Sequence, residues 1–391
     1  MKDQKYDFTS VISRKNTNCF KWDLAGKIFK SEDALPMWVA DMDFATAPEI
    51  AAAIQNRASH PIYGYAARPD SFNGSLIEWA KKRHNFEIKN EWICFSPGIV
   101  PALAISVSAY TAPGDKVMIQ TPVYPPFFSV VRDQNRELVE NSLVLENGRY
   151  RIDFDDFEKK AAAGVKMFML CSPHNPAGRV WTREELLKMS EICLKYNIII
   201  ISDEIHSDII YTGHKHICTA SLSQDISNKT VTLMSPSKTF NITGLAISSA
   251  IISDEKLRLP FKKITENLHI DQTNVFGVTA FEAAYTHGEA WLHELLTYLE
   301  GNIGYMSRFL SKNLPDCEFI KPDGTFLAWL DFKKFGLPQK ELCDLITFKG
   351  GLALNDGTTF GADGRGFMRL NFGCPRATLE EGLKRLVKAF S

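Results

Sequence analysis

Lys238 lies in SPSKTFNITGL, Ser235 to Leu245, between small hydroxyl residues and soon after the apolar run TVTLM. A lysine that leaves the end of a buried strand into a polar cleft is desolvated, and desolvation with neighbouring cations favours the neutral amine that attacks carbonyl carbon. On this segment alone, a solvated loop lysine is the plainer reading. Three other residues occupy comparable places: Tyr124 follows KVMIQ, Asn175 follows VKMFMLC and Asp203 follows NIIIIS. An ionised carboxylate just beyond four isoleucines is costly unless a cation or a set of donors satisfies it. A protonated heteroaromatic nitrogen would serve, although a helix N-cap is the commoner role for aspartate at such a junction. Asn175 offers an amide donor to a phenolate oxygen, or simply makes the Asn-Pro turn.

A phosphate site is also encoded. In SPGIV, Gly98 permits close backbone approach and Pro101 fits a first helical turn, ahead of the helix-like VPALAISVSAY. Free amides at a helix start bind phosphate with help from the dipole, though a glycine turn before a helix is common without one. Ser235 and Ser237 could add hydroxyl donors. A carbonyl-bearing aromatic heterocycle carrying a phosphate meets all these demands together, and pyridoxal 5'-phosphate is that molecule.

The elements that must position these residues follow from the pattern between about 90 and 252. Short apolar runs alternate with helical stretches, the signature of crossover units building a mostly parallel sheet covered on both faces. The expected strands are 116–120, 165–171, 197–202, 230–234 and 247–253. In TREELLKMSEICLKY, Thr182 and Glu185 have capping-box spacing, while Leu186, Met189, Cys193 and Tyr196 recur at helical intervals. Ligands of open parallel sheets lie outside the carboxyl ends of the strands, so Tyr124, Asn175, Asp203 and Lys238 would share one rim. Beyond about 285 the pattern changes to a long helix, then TFLAWLDF, GLALND and FMRLNFG as strands. A closing helix follows, with Thr378 and Glu381 as a second capping box. The expectation is an α/β chain with a large domain over 46–285 and a smaller α+β domain built from 1–45 and 286–391.

Composition narrows the partners. Forty-five basic and forty-six acidic residues give a net charge of -1 over 391 residues, which argues against nucleic acid or anionic lipid and for a small-molecule partner. Eight cysteines stand singly, without CxxC or disulfide-like spacing, and read as reduced, mostly buried thiols. MKDQKYDFTS lacks an apolar leader and no run reaches the ~20 apolar residues of a membrane span, so a cytoplasmic enzyme is expected. His214 and His216 in GHKHI could bind metal. Without a carboxylate or cysteine cluster to complete the site, a solvated loop is expected.

Six segments in order, PMWVADMDF, YGY, SPHNPAGRVW, SDEIHSD, SPSKTFNITGL and MRLNFGCPR, span residues 36 to 376. With them the chain resembles fold-type I pyridoxal-phosphate enzymes of the class I/II aminotransferase superfamily, and within it the cystathionine beta-lyase and carbon-sulfur lyase branch. The resemblance implies that Lys238 forms the Schiff base, Asp203 keeps the ring nitrogen protonated, Asn175 bonds the ring oxygen and Tyr124 stacks on the ring. Gly98, Ile99 and Val100 amides with Ser235 and Ser237 hydroxyls would hold the phosphate. Tyr65, with Tyr63 as the lesser choice, would reach the phosphate of a neighbouring subunit, which implies a homodimer with shared sites. Arg369 would clamp the substrate carboxylate bidentately, and Trp38, Tyr124 and the loop 357–366 would line the substrate pocket. That loop is no dinucleotide fingerprint, because its glycines precede a strand.

Two positions depart from the pattern. Ala246 stands eight residues after the lysine, where many aminotransferases carry a phosphate-binding arginine, and Pro125 stands where some relatives have a second tyrosine. The implied reaction is α,β-elimination from an L-amino acid with a sulfur leaving group. Transamination shares the early steps and is the alternative. A cofactor-bound regulatory protein with incidental catalysis is a third reading, for which no basic helix or appended DNA-binding segment speaks.

Overall fold

The computed structural model describes residues 5–391; Met1–Gln4, part of the segment expected to lack a leader, lie outside the described residues. Seven strands form the main sheet: β1 Ile93–Ser96, β2 Lys116–Thr121, β3 Glu137–Ser142, β4 Val165–Cys171, β5 Ile199–Asp203, β6 Thr230–Met234 and β7 Ser248–Ile252, in spatial order β1-β7-β6-β5-β4-β2-β3. Neighbours from β6 through β3 run parallel. Strand β7 runs antiparallel to both β6 and β1, because only a short turn-rich loop, with no crossover helix, joins β6 to β7.

Both faces of the sheet are apolar. Met167, Met169 and Cys171 of β4 point into one hydrophobic layer with Ile201 of β5, while Phe168 and Leu170 point into the other with Ile200. This alternation explains why these strands appear in the sequence as unbroken apolar runs. Strand β5 begins two residues later than expected, since Asn197 takes a left-handed conformation (φ 55°) to end the preceding helix. Edge strand β3 and strand β1 were not anticipated: β3 is half polar and largely unburied, and β1 is only four residues long.

Helix α1, Ile99–Tyr110, lies on one face and α2, Arg183–Lys195, on the other. The Thr182–Glu185 capping box is present in full, with Leu186, Met189 and Cys193 buried. The second expected box is not. Helix α4, Arg376–Phe390, starts two residues before Thr378, which is buried within the first turn. The Arg376 amide is satisfied by Tyr298 Oη at 2.7 Å, and Glu381 instead pairs with Arg385 one turn on at 2.7 Å.

A second sheet of four strands contains β8 Glu318–Ile320, β9 Leu327–Asp331, β10 Asn355–Asp356 and β11 Phe367–Asn371, ordered β8-β9-β11-β10. Helix α3, Glu289–Asn313, is 25 residues long and buries Trp291, Leu292, Leu295, Leu299, Ile303, Met306 and Leu310. The early segment is stitched to it: Leu35 and Met37 donate to Gly351 and Ala353 carbonyls, and Asp43 N–H donates to Gly373 O. No helix of the described residues is long and apolar enough to cross a membrane.

Removing the α2 cap by Thr182→Ala is expected to lower stability by ~1 kcal/mol, measured as a fall in the urea midpoint without a change in slope.

Candidate active site

The rim is set by strand register. Cys171 pairs with Asp203, and Asp203 with Leu233, so β4, β5 and β6 end in one row. Ser96 of β1 lies opposite Ser248, bringing the start of α1 to the same edge. A cavity of about 200 Å³ opens there, and Tyr124, Asn175, Asp203, Ser237 and Lys238 line it with the Gly98–Pro101 turn.

Asp203 is buried and does not cap a helix, because the chain beyond it forms turns; its carboxylate accepts the Ile205 N–H at 3.1 Å. Burial, with the nearby Glu204 charge adding to it, pushes the carboxyl up to about 7 against the pull of Ile205 N–H and Lys238. The Lys238 ammonium donates to Ala40 O. Burial brings its amine down to about 8, with Arg369 acting in the same sense and Asp41 and Asp203 opposing.

Arg369, on β11, is buried with its hydrogen bonds all to neutral groups: Asn175 Oδ1 at 3.0 Å, Trp38 O at 2.9 Å and Asn355 Oδ1 at 2.7 Å. Its Nε is buried without a partner, and burial lowers the guanidinium to about 10. An anionic oxygen would complete this set.

Other residues meet the site differently. Gly98 caps α1 and its carbonyl accepts the Ala102 N–H, leaving the first-turn amides toward the cavity end of the helix. Ser235 is not among the lining residues; its hydroxyl donates to Ile247 O at 2.7 Å and accepts Ser237 N–H at 3.1 Å, which shapes the turn that presents Ser237 and Lys238. Trp38 turns its indole away to donate to Lys21 O and to pack on Phe20 and Phe29, so that only its carbonyl reaches Arg369. The 357–366 loop touches the site from behind: Val123 N–H donates to Phe360 O, and Phe360 lies under the Arg369 guanidinium at 4.8 Å. Tyr65 is 96 % exposed, away from this cavity.

The strap Trp38–Phe44 closes one side. Asn241 donates to the Met42 and Phe44 carbonyls at 2.9 and 2.8 Å, while Asn371 donates to those of Val39 and Asp41. Buried Lys21 holds Asp43 at 2.7 Å and Arg14 holds both Asp41 and Asp43.

The expectation of a solvated loop at GHKHI is corrected for His216 alone: it is buried, with Nε2 at 2.8 Å from Glu204, while His214 and Lys215 are exposed, His214 lying 3.3 Å from Asp323. A fully buried Glu204 next to Asp203 needs donors, and it takes them from His216, Ser202 and the Thr219 amide. Neither Glu204 nor the buried Asp208 stood out in the sequence, since burial of an acid among apolar residues far away in the chain leaves no local pattern. Ala40, Cys171, His206 and Ala246 also line the cavity and were not read as binding residues, although SDEIHSD contains His206.

The donor set fits pyridoxal 5'-phosphate. A buried carboxyl without a cation in contact matches a pyridinium nitrogen, a helix start matches a phosphate, and a desolvated amine matches an aldehyde. Fold and site together define a pyridoxal-phosphate enzyme of fold type I. The sequence model of the aminotransferase class I and II family matches residues 33–386, and the chain belongs to that family. It is 46% identical over 386 residues to "Cystathionine beta-lyase PatB" of Bacillus subtilis, covering 98% of this chain and 100% of that one. A pyridoxal-phosphate-bound putative aminotransferase from Clostridium difficile superposes with a TM-score of 0.97 at 47% identity, covering 99% of this chain and 100% of that one. A pyridoxal-phosphate-bound C-S lyase from Staphylococcus hominis gives 0.93 at 34%, covering 99% and 98%.

An acid whose folded pKa is raised makes the native state bind the extra proton, so stability falls as pH rises from about 4 to about 7. Asp203→Asn is expected to remove that fall in the cofactor-free protein and raise its melting temperature at pH 7.5, measured by calorimetry across that range.

Proposed function

We propose that the protein is a pyridoxal-phosphate-dependent carbon-sulfur β-lyase, which eliminates a thiol from cystathionine or a related L-cysteine S-conjugate to leave pyruvate and ammonia. The observation that carries this reading is the full-length 46% identity to the Bacillus cystathionine beta-lyase. Pyridoxal phosphate, when bound, supplies an aldehyde carbon for amines and a cationic ring that takes up the electron pair left at the substrate's Cα.

The chain's own groups do the rest. Asp203 holds a proton on the ring nitrogen, and its unmatched burial is relieved by that contact. Asn175 donates to the ring oxygen and Tyr124 covers the ring face. The amides of Gly98, Ile99 and Val100 and the Ser237 hydroxyl hold the phosphate, with Ser235 fixing the turn. Ala246, left-handed at φ 48°, adds no cation there, so the phosphate is held by dipoles and hydroxyls. Arg369 takes the substrate carboxylate and sets Cα near Lys238. The Lys238 amine, lowered to about 8, is neutral in a useful fraction near neutral pH and removes the Cα proton. The electron pair at Cα then forms a Cα–Cβ double bond as the Cβ–S bond breaks, the sulfur leaves as thiolate, and water hydrolyses the released three-carbon enamine to pyruvate and ammonia.

The two-domain division at 45/46 and 285/286 and a homodimer belong to the same proposal. Ile62, Tyr63 and Tyr65 are 68, 56 and 96 % exposed, an apolar surface that a second copy would cover. Tyr65 would thereby reach the partner's phosphate site. Six buried free thiols support placing the enzyme in the cytoplasm.

Purified holoenzyme given cystathionine, without any oxo acid, is expected to release pyruvate and free thiol, and Lys238→Ala should lose at least about a hundredfold in turnover. Pyruvate formation that required an added oxo acid would instead make the enzyme an aminotransferase. Sedimentation should give twice the chain mass, and Tyr65→Phe should release the cofactor more readily; a monomeric holoenzyme would remove the shared-site reading.

A further inference from the structure

A guanidinium carries five N–H donors in one plane, and the protein takes three of those on Arg369. Nη1 donates to Asn175 Oδ1 at 3.0 Å, while Nη2 donates to Trp38 O at 2.9 Å and to Asn355 Oδ1 at 2.7 Å. One hydrogen on Nη1 and the one on Nε remain, and Nε is buried without a partner. Of the three acceptors, Asn175 lines the cavity and Trp38 offers only its backbone. Asn355 does neither; it reaches the site through Arg369 alone. It stands opposite Arg369 in the register of β10 and β11, where cross-strand side chains share one face of the sheet. Strand β10 is only two residues long and is held from outside. Asp356 Oδ1 accepts Gln339 Nε2 at 2.7 Å and the Thr358 amide at 2.8 Å, and Gln339 Oε1 accepts the Gly366 amide at 2.7 Å.

We propose that Asn355 is a positioning residue for the substrate carboxylate, aiming the Arg369 guanidinium without neutralising it. The inference rests on the reading of Arg369 as the carboxylate site. An amide oxygen attracts the guanidinium through a partial charge, so the plane is held while the full positive charge stays available to an incoming anion. A carboxylate of the same shape would bond Arg369 more strongly, yet it would cancel that charge and repel the substrate's own carboxylate. An apolar side chain of the same size would leave a further buried N–H without an acceptor and free the plane to turn. Both replacements should therefore weaken carboxylate recognition, for opposite reasons.

Wild-type, Asn355→Asp and Asn355→Leu holoenzymes, kept in excess pyridoxal phosphate, are titrated with L-alanine and with L-alaninamide, and binding is followed by absorbance. The two ligands share their amine and side chain and differ at the carboxylate, so the ratio of their affinities reports on Arg369. Wild type is expected to favour L-alanine. Asn355→Asp should lower the ratio at least about tenfold by weakening L-alanine, with L-alaninamide within about twofold of wild type. Asn355→Leu should lower it by about tenfold in the same way. If the leucine variant does not fold, by circular dichroism, Asn355→Ser takes its place, since its neutral oxygen is too short to reach Nη2 and the same loss is expected. A wild-type ratio in the aspartate variant or in the folded variant without the acceptor, or a loss shared equally by the two ligands, overturns the proposal. A wild-type enzyme that bound both ligands alike would instead remove Arg369 as the carboxylate site, a result distinct from these.

Discussion

The constraint on which the site depends is the burial of three ionisable side chains whose hydrogen bonds in the protein go to neutral groups alone. Asp203 accepts from a backbone amide, Lys238 donates to a carbonyl, and Arg369 meets an amide oxygen of Asn175, another of Asn355 and a carbonyl. Desolvation is the largest cause of the shift in each. Charges in that condition are poised to be satisfied by something else, and a zwitterionic, phosphate-bearing cofactor with its amino-acid substrate supplies the complementary charges.

The contrast with the acids just behind the rim shows that burial alone does not make a reactive group. Asp208 is as buried as Asp203, yet His84, Trp79 and Thr239 donate to it, Arg83 lies at 3.0 Å, and its carboxyl is held down at about 2. Thr239 follows Lys238 directly, so this firmly ionised anchor fixes the backbone that carries the reactive lysine. Glu204 plays a like part next to Asp203, its carboxyl lowered by His216 and by donors from the chain despite full burial. Satisfied charges hold the frame, whereas Asp203 and Lys238 line the cavity and Arg369, not itself a lining residue, meets it through Asn175.

The early segment enters the same economy of charge. Lys21, 1 % exposed, and Arg14 neutralise Asp43 and Asp41, which lets the strap Trp38–Phe44 lie across the site with its carbonyls turned inward. Ala40 O meets Lys238, Trp38 O meets Arg369, and the amides of Asn241, on the loop between β6 and β7, and of Asn371, on β11, bind the strap. A segment without a repeating hydrophobic pattern is thus ordered by specific polar contacts, which is why its role in the site could not be read from periodicity.

Much of this was legible in the chain. Strands β2, β4, β5 and β6 are apolar runs because both their faces are covered, and the residues at or just after their ends, Tyr124, Asn175, Asp203 and Lys238, reach one rim because parallel strands end together. The α2 cap was legible because it is local in sequence. What was not legible depended on partners far along the chain: the reversal of β7, the true start of α4, the burial of His216 on Glu204, the outward turn of the Trp38 indole and the inward placing of His206. The sequence by itself determined which side chains were available for chemistry and the period with which they were spaced. Only tertiary structure decided which of them are paired and which are left buried without a charged partner, since desolvation and hydrogen bonding depend on every neighbour in space and not on neighbours in the chain.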